Sequence, residues 1–284
     1  MEQLMEHTLT VWHAIFPGAI FTGEAFVTLG WLLFGKIFLL LGIDGAMQKP
    51  EMKRNRIFNI AIPEDQRARE IANSWHIISD VVIVYALLYT GLLRPAAPSW
   101  LGSLATFAVF YVWVEVYYYF IHRAMHEIKF LIPIHRAHHV SIVTTPYSAS
   151  AMSGTEKWIV SSLAWIGGVA ALSWVMDITL SGITAYFMFN YFITLGGHSN
   201  TESSPVSLKL AKIGMGSATT HALHHARFKV NYGFSCTLLD RLFGTYSSET
   251  DELRARALAG NGNQNMKRPR EQKEAASVTS NLVN

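Results

Sequence analysis

The sequence predicts an all-α integral membrane protein of about five transmembrane helices, an N-terminal span followed by two helical hairpins, with a cytosolic helical cap that carries the histidines. Three observations predict it. Half of the 284 residues are hydrophobic, only 15% are charged and the mean hydropathy is +0.22, the balance of a membrane protein. Five stretches approach the roughly 20 apolar residues a helix needs to cross the hydrocarbon core. Nine of the twelve histidines fall in four short groups between His122 and His225, at the ends of those stretches or beyond them.

The first apolar stretch runs from Ala25 to Ile43 with Lys36 inside it, and the second from Ile77 to Leu93 with Asp80 inside it. The third covers Trp100 to Ile121. The fourth and fifth, Trp158 to Val175 and Ile178 to Leu195, are separated only by Met176-Asp177 and read as a helical hairpin, or as a tilted or partly re-entrant pair since each is near the lower length limit. Trp100, Tyr117 to Tyr119, Trp158 and Trp174 fit interfacial aromatic belts or ordinary packing.

Basic residues orient these spans. The loop from Asp44 to Trp75 holds Lys49, Lys53, Arg54, Arg56, Arg67 and Arg69, the chain up to Thr22 holds none, and the turn after Leu93 holds only Arg94. Lys and Arg accumulate on the cytosolic side. With five crossings, the basic loop, the 121–157 segment and the chain after Leu195 share that side, and so do all nine clustered histidines. The active site is therefore expected on the cytosolic face of a bacterial inner membrane or of the endoplasmic reticulum. Met1 to Thr10 carries Glu2 and Glu6 and no Lys or Arg, unlike a signal peptide, so the first span is expected to do the targeting. The chain divides into an N-terminal membrane region (1–121), a histidine-bearing region that includes the hairpin (122–250) and a tail (251–284) expected to be disordered from its polar composition.

Composition also excludes functions. No basic stripe with interleaved aromatics appears, so nucleic acid is not an expected partner. The single cysteine, Cys236, rules out an intramolecular disulfide and any thiolate-rich zinc or iron–sulfur site. Metal chemistry must be nitrogen-based.

The histidines are spaced for it. They read His122-x3-His126, His135-x2-His138-His139, His198 alone, and His221-x2-His224-His225. Residues three and four apart share a helix face, so each group can direct two or three nitrogens to one point, and four groups can enclose two ions. His122 and His126 end the third span. Pro133 should break the helix after them, letting a short second helix fold back so that His122, His126, His135, His138 and His139 meet. His198 follows the Gly196-Gly197 turn, and His221, His224 and His225 close the site from below. His7, His13 and His76 stand apart and read as ordinary core or surface residues.

Metal-bound histidines usually donate their second N–H to a carboxylate or carbonyl, which makes Glu127, Glu156, Asn200, Asn231 and Asp240 candidates to support them. Asp240 could instead pair with Arg241. Glu115 lies two turns before His122 inside the hydrocarbon region, where an ionisable group is functional by default. Asp80, one turn after His76, has the same standing. Either could also be a polar contact between helices. Glu115, Asn200, Asn231 and Asp240 are the candidate catalytic residues. A lipid would approach past Trp113, Tyr117, Phe187 and Phe189.

The pattern from Trp113 to Tyr246 resembles the fatty acid hydroxylase and sterol desaturase superfamily of integral membrane di-iron enzymes. His122-Arg-Ala-Met-His126, His135-Arg-Ala-His-His139 and His221-Ala-Leu-His-His225 resemble its first, second and last histidine boxes, and Asn231-Tyr-Gly233 and Leu239-Asp-Arg-Leu-Phe-Gly-Thr245 the segment that follows. Three residues inside the first box are as in sterol- and acyl-modifying members rather than carotene hydroxylases. His198 departs from the pattern: Ser199 and Asn200 stand where members often have a second histidine.

The resemblance implies two iron ions held by the nine imidazoles, dioxygen as oxidant, and hydroxylation or desaturation of a lipid. Sterols, fatty acyl chains, sphingoid bases, lipid headgroups and alkylglycerol ethers all suit such boxes. Because the chain shows no G-x-G-x-x-G turn and no haem or ferredoxin-like domain, electrons are expected from a separate ferredoxin- or cytochrome b-type protein with its reductase, docking near Lys209, Lys212, Arg227 or Lys229, though these cations also fit ordinary positive-inside charge. A membrane zinc hydrolase, with three ligands on one ion and Glu127 as acid/base, is the competing enzyme reading. A metal carrier or b-type haem protein would place its ligands inside the spans.

Overall fold

The computed structural model describes residues 22–203 and 206–266. His7, His13, the Met1–Thr10 segment and the tail from 267 lie outside the described residues. Among the described residues the ordered elements are helices, joined by isolated bridges such as Arg56 with Thr201 and Phe58 with Asn263.

Helix α1, Gly23–Met47, begins where the Thr22 hydroxyl accepts the Ala25 N–H at 3.3 Å, a side-chain cap. A short α2, Pro50–Arg54, crosses the basic loop. Helix α3, Glu64–Tyr89, has a polar first half and an apolar second half, and α4, Trp100–Glu127, is the longest at 28 residues. Its start is capped by Ser99, which accepts the Gly102 N–H. At 1.5 Å per residue α4 measures about 42 Å, against about 30 Å for the hydrocarbon core. The surplus holds its last two turns, with His122 and His126.

The chain turns after Ile128, where the backbone is extended. Helix α5, Ile132–His139, follows with Pro133 in its first turn, the position where proline's missing N–H costs nothing. At the expected fourth and fifth spans stand α6, Thr155–Leu163 continuing through Ala164–Leu172, and α7, Leu180–Gly197, neither of them among the three described helices long and apolar enough to cross a membrane. Among the described residues four shorter α-helices follow: α8 (Val206–Lys212), α9 (Ala218–Arg227), α10 (Leu238–Leu242) and α11 (Glu249–Leu258).

α1, α3 and α4 are each long and apolar enough to cross a membrane. They leave large apolar side chains uncovered, such as Phe38, Trp100 and Leu101, as lipid-facing helices do. α7 turns Ile183, Tyr186, Phe187 and Tyr191 into the core against Phe110 and Val114 of α4. The two backbones approach closely at Gly182, where a Cβ would stand 2.7 Å from the Ser103 carbonyl oxygen. Small residues permit such approaches between membrane helices.

The region expected to be disordered from residue 251 is ordered as far as 266. Leu253 and Ala257 of α11 pack with Ile57, Phe58 and Leu223. Beyond the helix the Asn263 N–H donates to Ile57 O at 2.9 Å, and Asn263 O accepts the Asn59 N–H at 2.7 Å. Thr250, Leu253 and Ala257 form a helical stripe that the polar composition of the longer tail conceals.

Candidate metal centre

Three helix ends and one helix bring the nine imidazoles together. His122 and His126, one turn apart on α4, place their Nε2 atoms 3.3 Å from each other. His135 and His139, one turn apart on α5, do so at 3.0 Å, and further 3.0 Å approaches join His122 to His135 and His139 to His224 of α9. These five form one group. His138 of α5, His198 at the end of α7, and His221 and His225 of α9 form the other, at 3.2, 2.9 and 3.1 Å. Within each group the ligand atoms lie within 4.8 Å of one another.

His138 therefore parts from His122, His126, His135 and His139, with which it was expected to converge. The reason is helical geometry. At about 100° per residue, a residue three along points some 60° to one side of the first and one four along some 40° to the other. α5 sends His135 and His139 to the five-membered group and His138 to the four-membered one. α9, with the same spacing, does the reverse: His221 and His225 join the four and His224 the five.

Hydrogen bonds at the far side of the rings settle which nitrogen carries the proton. The Nδ1 atoms of His122, His224, His198 and His225 donate to the carbonyls of Tyr232, Val230, Thr194 and Ser141 at 2.7–3.0 Å, and that of His135 donates to Glu156 at 2.6 Å. Their Nε2 atoms are left as bare lone pairs facing one another. Burial depresses these imidazoles, with repulsion from neighbouring imidazoles adding to it at His138 and His224: His138 is pushed down to about 4, and His135 and His224 to about 3. Near neutrality they are uncharged, the form that binds metal. Two nitrogens at right angles on one ion, each bonded at ~2.1 Å, stand about 3.0 Å apart. The observed separations match, so both groups fit a metal ion.

The groups differ in access. Against the five-membered group the Phe228 ring packs 4.2 Å from His126 and 5.0 Å from His139. Phe228 has φ +66°, a left-handed conformation unusual for a bulky residue, as it ends α9 with its N–H on His224 O. His138, His198 and His221 instead line a cavity of about 480 Å³ with Glu156, Tyr118 and Trp165, within the size range of ligand pockets.

The four candidate catalytic residues act at one remove. Asp240 accepts the N–H groups of Tyr232 and Gly233 and the Thr245 hydroxyl, fixing the peptide whose carbonyl receives His122. Glu115 accepts the Ser235 N–H and hydroxyl and the Cys236 N–H, pinning the same loop to α4. Asn231, at φ +55°, holds Thr220 O, Thr250 and the Ser247 N–H. Asn200, at φ +52°, pairs with both the N–H and the carbonyl of Phe58. Among the described residues none of the four has a hydrogen bond to an imidazole; each holds backbone close to the site.

Other expectations also change. Trp113, Tyr117, Phe187 and Phe189 do not line the cavity; Trp113 packs against Gly168 and Phe187 is fully buried. Arg227 is occupied by Glu249 and the Met266 carbonyl. Glu127 accepts from Tyr232 and the exposed Lys229, away from the imidazoles. Phe228 and the carbonyls of Val230, Thr194 and Ser141 escape sequence reasoning because any residue offers a carbonyl, and a strained φ leaves no mark on a phenylalanine.

Residues 107–245, a segment containing all nine clustered histidines, match the fatty acid hydroxylase family model. The very-long-chain aldehyde decarbonylase GL1-6 of Oryza sativa is 28% identical over 81% of this chain and 36% of its own length. Protein CER1-like 1 of Arabidopsis thaliana is 27% identical over 76% of this chain and 35% of its own. A Delta(7)-sterol 5(6)-desaturase of Aspergillus fumigatus is 26% identical over 60% of this chain and 44% of its own. The chain spans little more than a third of the length of the first of these relatives. No solved structure matches. With the family model lying across every imidazole of both groups, and decarbonylases and a sterol desaturase among the chain's relatives, the 107–245 segment belongs to the fatty acid hydroxylase and sterol desaturase superfamily.

Proposed function

We propose that this lipid-modifying membrane enzyme is a di-iron oxygenase that uses O2 and two externally supplied electrons to hydroxylate or desaturate a lipid C–H bond. The observation that carries the reading is the pair of imidazole groups with converging Nε2 atoms, one opening onto a cavity. His122, His126, His135, His139 and His224 would hold one iron, and His138, His198, His221 and His225 the other. Bound iron would supply the activation of O2, which imidazole-ligated iron supports.

The protein's own residues do the rest. Glu156 and the backbone carbonyls hold the protons of His122, His135, His198, His224 and His225 on Nδ1 and fix those rings. Phe228 excludes water from the five-membered group. Tyr118, Trp165 and Phe234 give the cavity an apolar wall suited to a lipid chain beside His138, His198 and His221. Electrons would arrive from a separate carrier protein on the face of Lys209, Lys212 and Lys229. The zinc hydrolase reading loses support because nine imidazoles exceed what three-ligand hydrolysis needs and Glu127 faces Lys229.

The test is iron and zinc analysis of protein purified in mild detergent, with Mössbauer spectroscopy and turnover of long-chain aldehydes, fatty acyl lipids and sterols under labelled O2. Two irons per chain and O2-dependent product are expected. One zinc and O2-independent turnover would overturn the proposal.

A further inference from the structure

The same cavity wall carries a second polar cluster, built from Lys36, Asp80, Lys157, Ser162 and Tyr191. Asp80 of α3 accepts from Lys157 Nζ (3.0 Å) and Ser162 Oγ (2.6 Å) on one oxygen, and from Lys36 Nζ (3.2 Å) and the Tyr191 hydroxyl (3.0 Å) on the other. The three charged side chains are 7%, 7% and 1% exposed for Lys36, Lys157 and Asp80. Lys36 and Asp80 come from helices apolar enough to span the bilayer, where ionisable groups are costly and functional by default.

The charges do not balance. Two ammonium groups share one carboxylate, so the cluster holds one surplus positive charge. Asp80 is saturated by four donors, whereas each ammonium has three N–H groups and gives one to Asp80. Lys36 otherwise lies 4.6 Å from the centre of the Tyr191 ring. Glu156, the neighbour of Lys157 in sequence, uses one oxygen on His135, and its other oxygen has no partner among the described residues. A clamp between helices would need one lysine. The second brings spare donors and charge to a cavity that both lysines line together with His138, His198 and His221.

We infer that Lys36 and Lys157, oriented by Asp80, anchor the carboxylate end of a single-chain lipid whose hydrocarbon lies along the cavity towards His138, His198 and His221. A carboxylate supplies one negative charge and acceptors for the unused N–H groups. A phosphate monoester, with more charge, over-compensates. The inference deepens the proposed lipid oxidation and rests on it for the fate of the bound chain.

The test is equilibrium binding of labelled palmitate, methyl palmitate and hexadecyl phosphate to the full chain in nanodiscs, with metal and after chelation. Palmitate should bind at least about tenfold tighter than its methyl ester, as loss of a buried charge contact implies. K36M leaves Lys157 and Asp80 as a balanced pair, so it should fold; it should abolish the preference for the acid while leaving methyl ester binding unchanged, and K36R should retain the preference. Equal binding of acid and ester, an undiminished preference in K36M, or tighter binding of the phosphate would each overturn the anchor. Because chelated protein is included, a carboxylate preference in a chain that proves to hold no iron would sink the oxygenase reading and leave the anchor standing.

Discussion

A neutral imidazole has one proton and one lone pair, and for His122, His135, His198, His224 and His225 the protein decides where each goes. Glu156 is the one side chain that receives an imidazole proton here, from His135; the other acceptors are carbonyls. Glu156→Gln should keep the fold and lower iron affinity about 10- to 100-fold, read by competition with a chelator; unchanged affinity would remove Glu156 from the centre. Because His138 belongs to the four-membered group, His138→Ala should abolish turnover and cost one iron while the other stays bound. Loss of both irons from that change would show that the groups are not independent. Glu156 was legible beforehand as a carboxylate near the histidines, whereas its choice of His135 depends on how α6 packs against α5.

At the scale of elements, the two x2-His-His motifs divide between the two imidazole groups in opposite senses. Each helix, α5 and α9, thereby contributes imidazoles to both groups. The loop after α9 is the clamp: Asp240 and Glu115 hold it, and Gly233 makes the fit possible, since a Cβ there would stand 2.2 Å from the Cys236 carbonyl oxygen and 2.7 Å from Asp240. Gly233→Ala should release the Tyr232 carbonyl from His122, lowering thermal stability and iron content together; normal iron content would show that the loop does not support the site. Gly182→Ala, between α4 and α7, should cost about 1–3 kcal/mol as an overpacked contact, measured by thermal unfolding in detergent, with iron per chain unchanged in the fraction that stays folded. α4 could be read from its apolar length and α5 from Pro133. α11 could not, because its buried stripe is short and sits in a polar surrounding.

For the whole molecule, the basic loop and both imidazole groups are proposed to share the cytosolic face. In a Cys236→Ser background, single cysteines at Arg69 and Lys129 should both react with an impermeant thiol reagent applied from the cytosolic side and not from the other. Opposite labelling of the two positions would overturn the proposed topology. Composition and spacing by themselves determined the all-α membrane class and the helical position of the histidine pairs, because apolar length and a 3.6-residue turn are local properties of the chain; the superfamily resemblance came from the box motifs. Tertiary structure alone decided which metal group each imidazole joins, which group meets the cavity and that Lys36, Asp80 and Lys157 share one cluster. Those outcomes depend on the direction in which each helix face meets partners as distant as Lys36 from Asp80 or His139 from His224, and no local pattern encodes that direction.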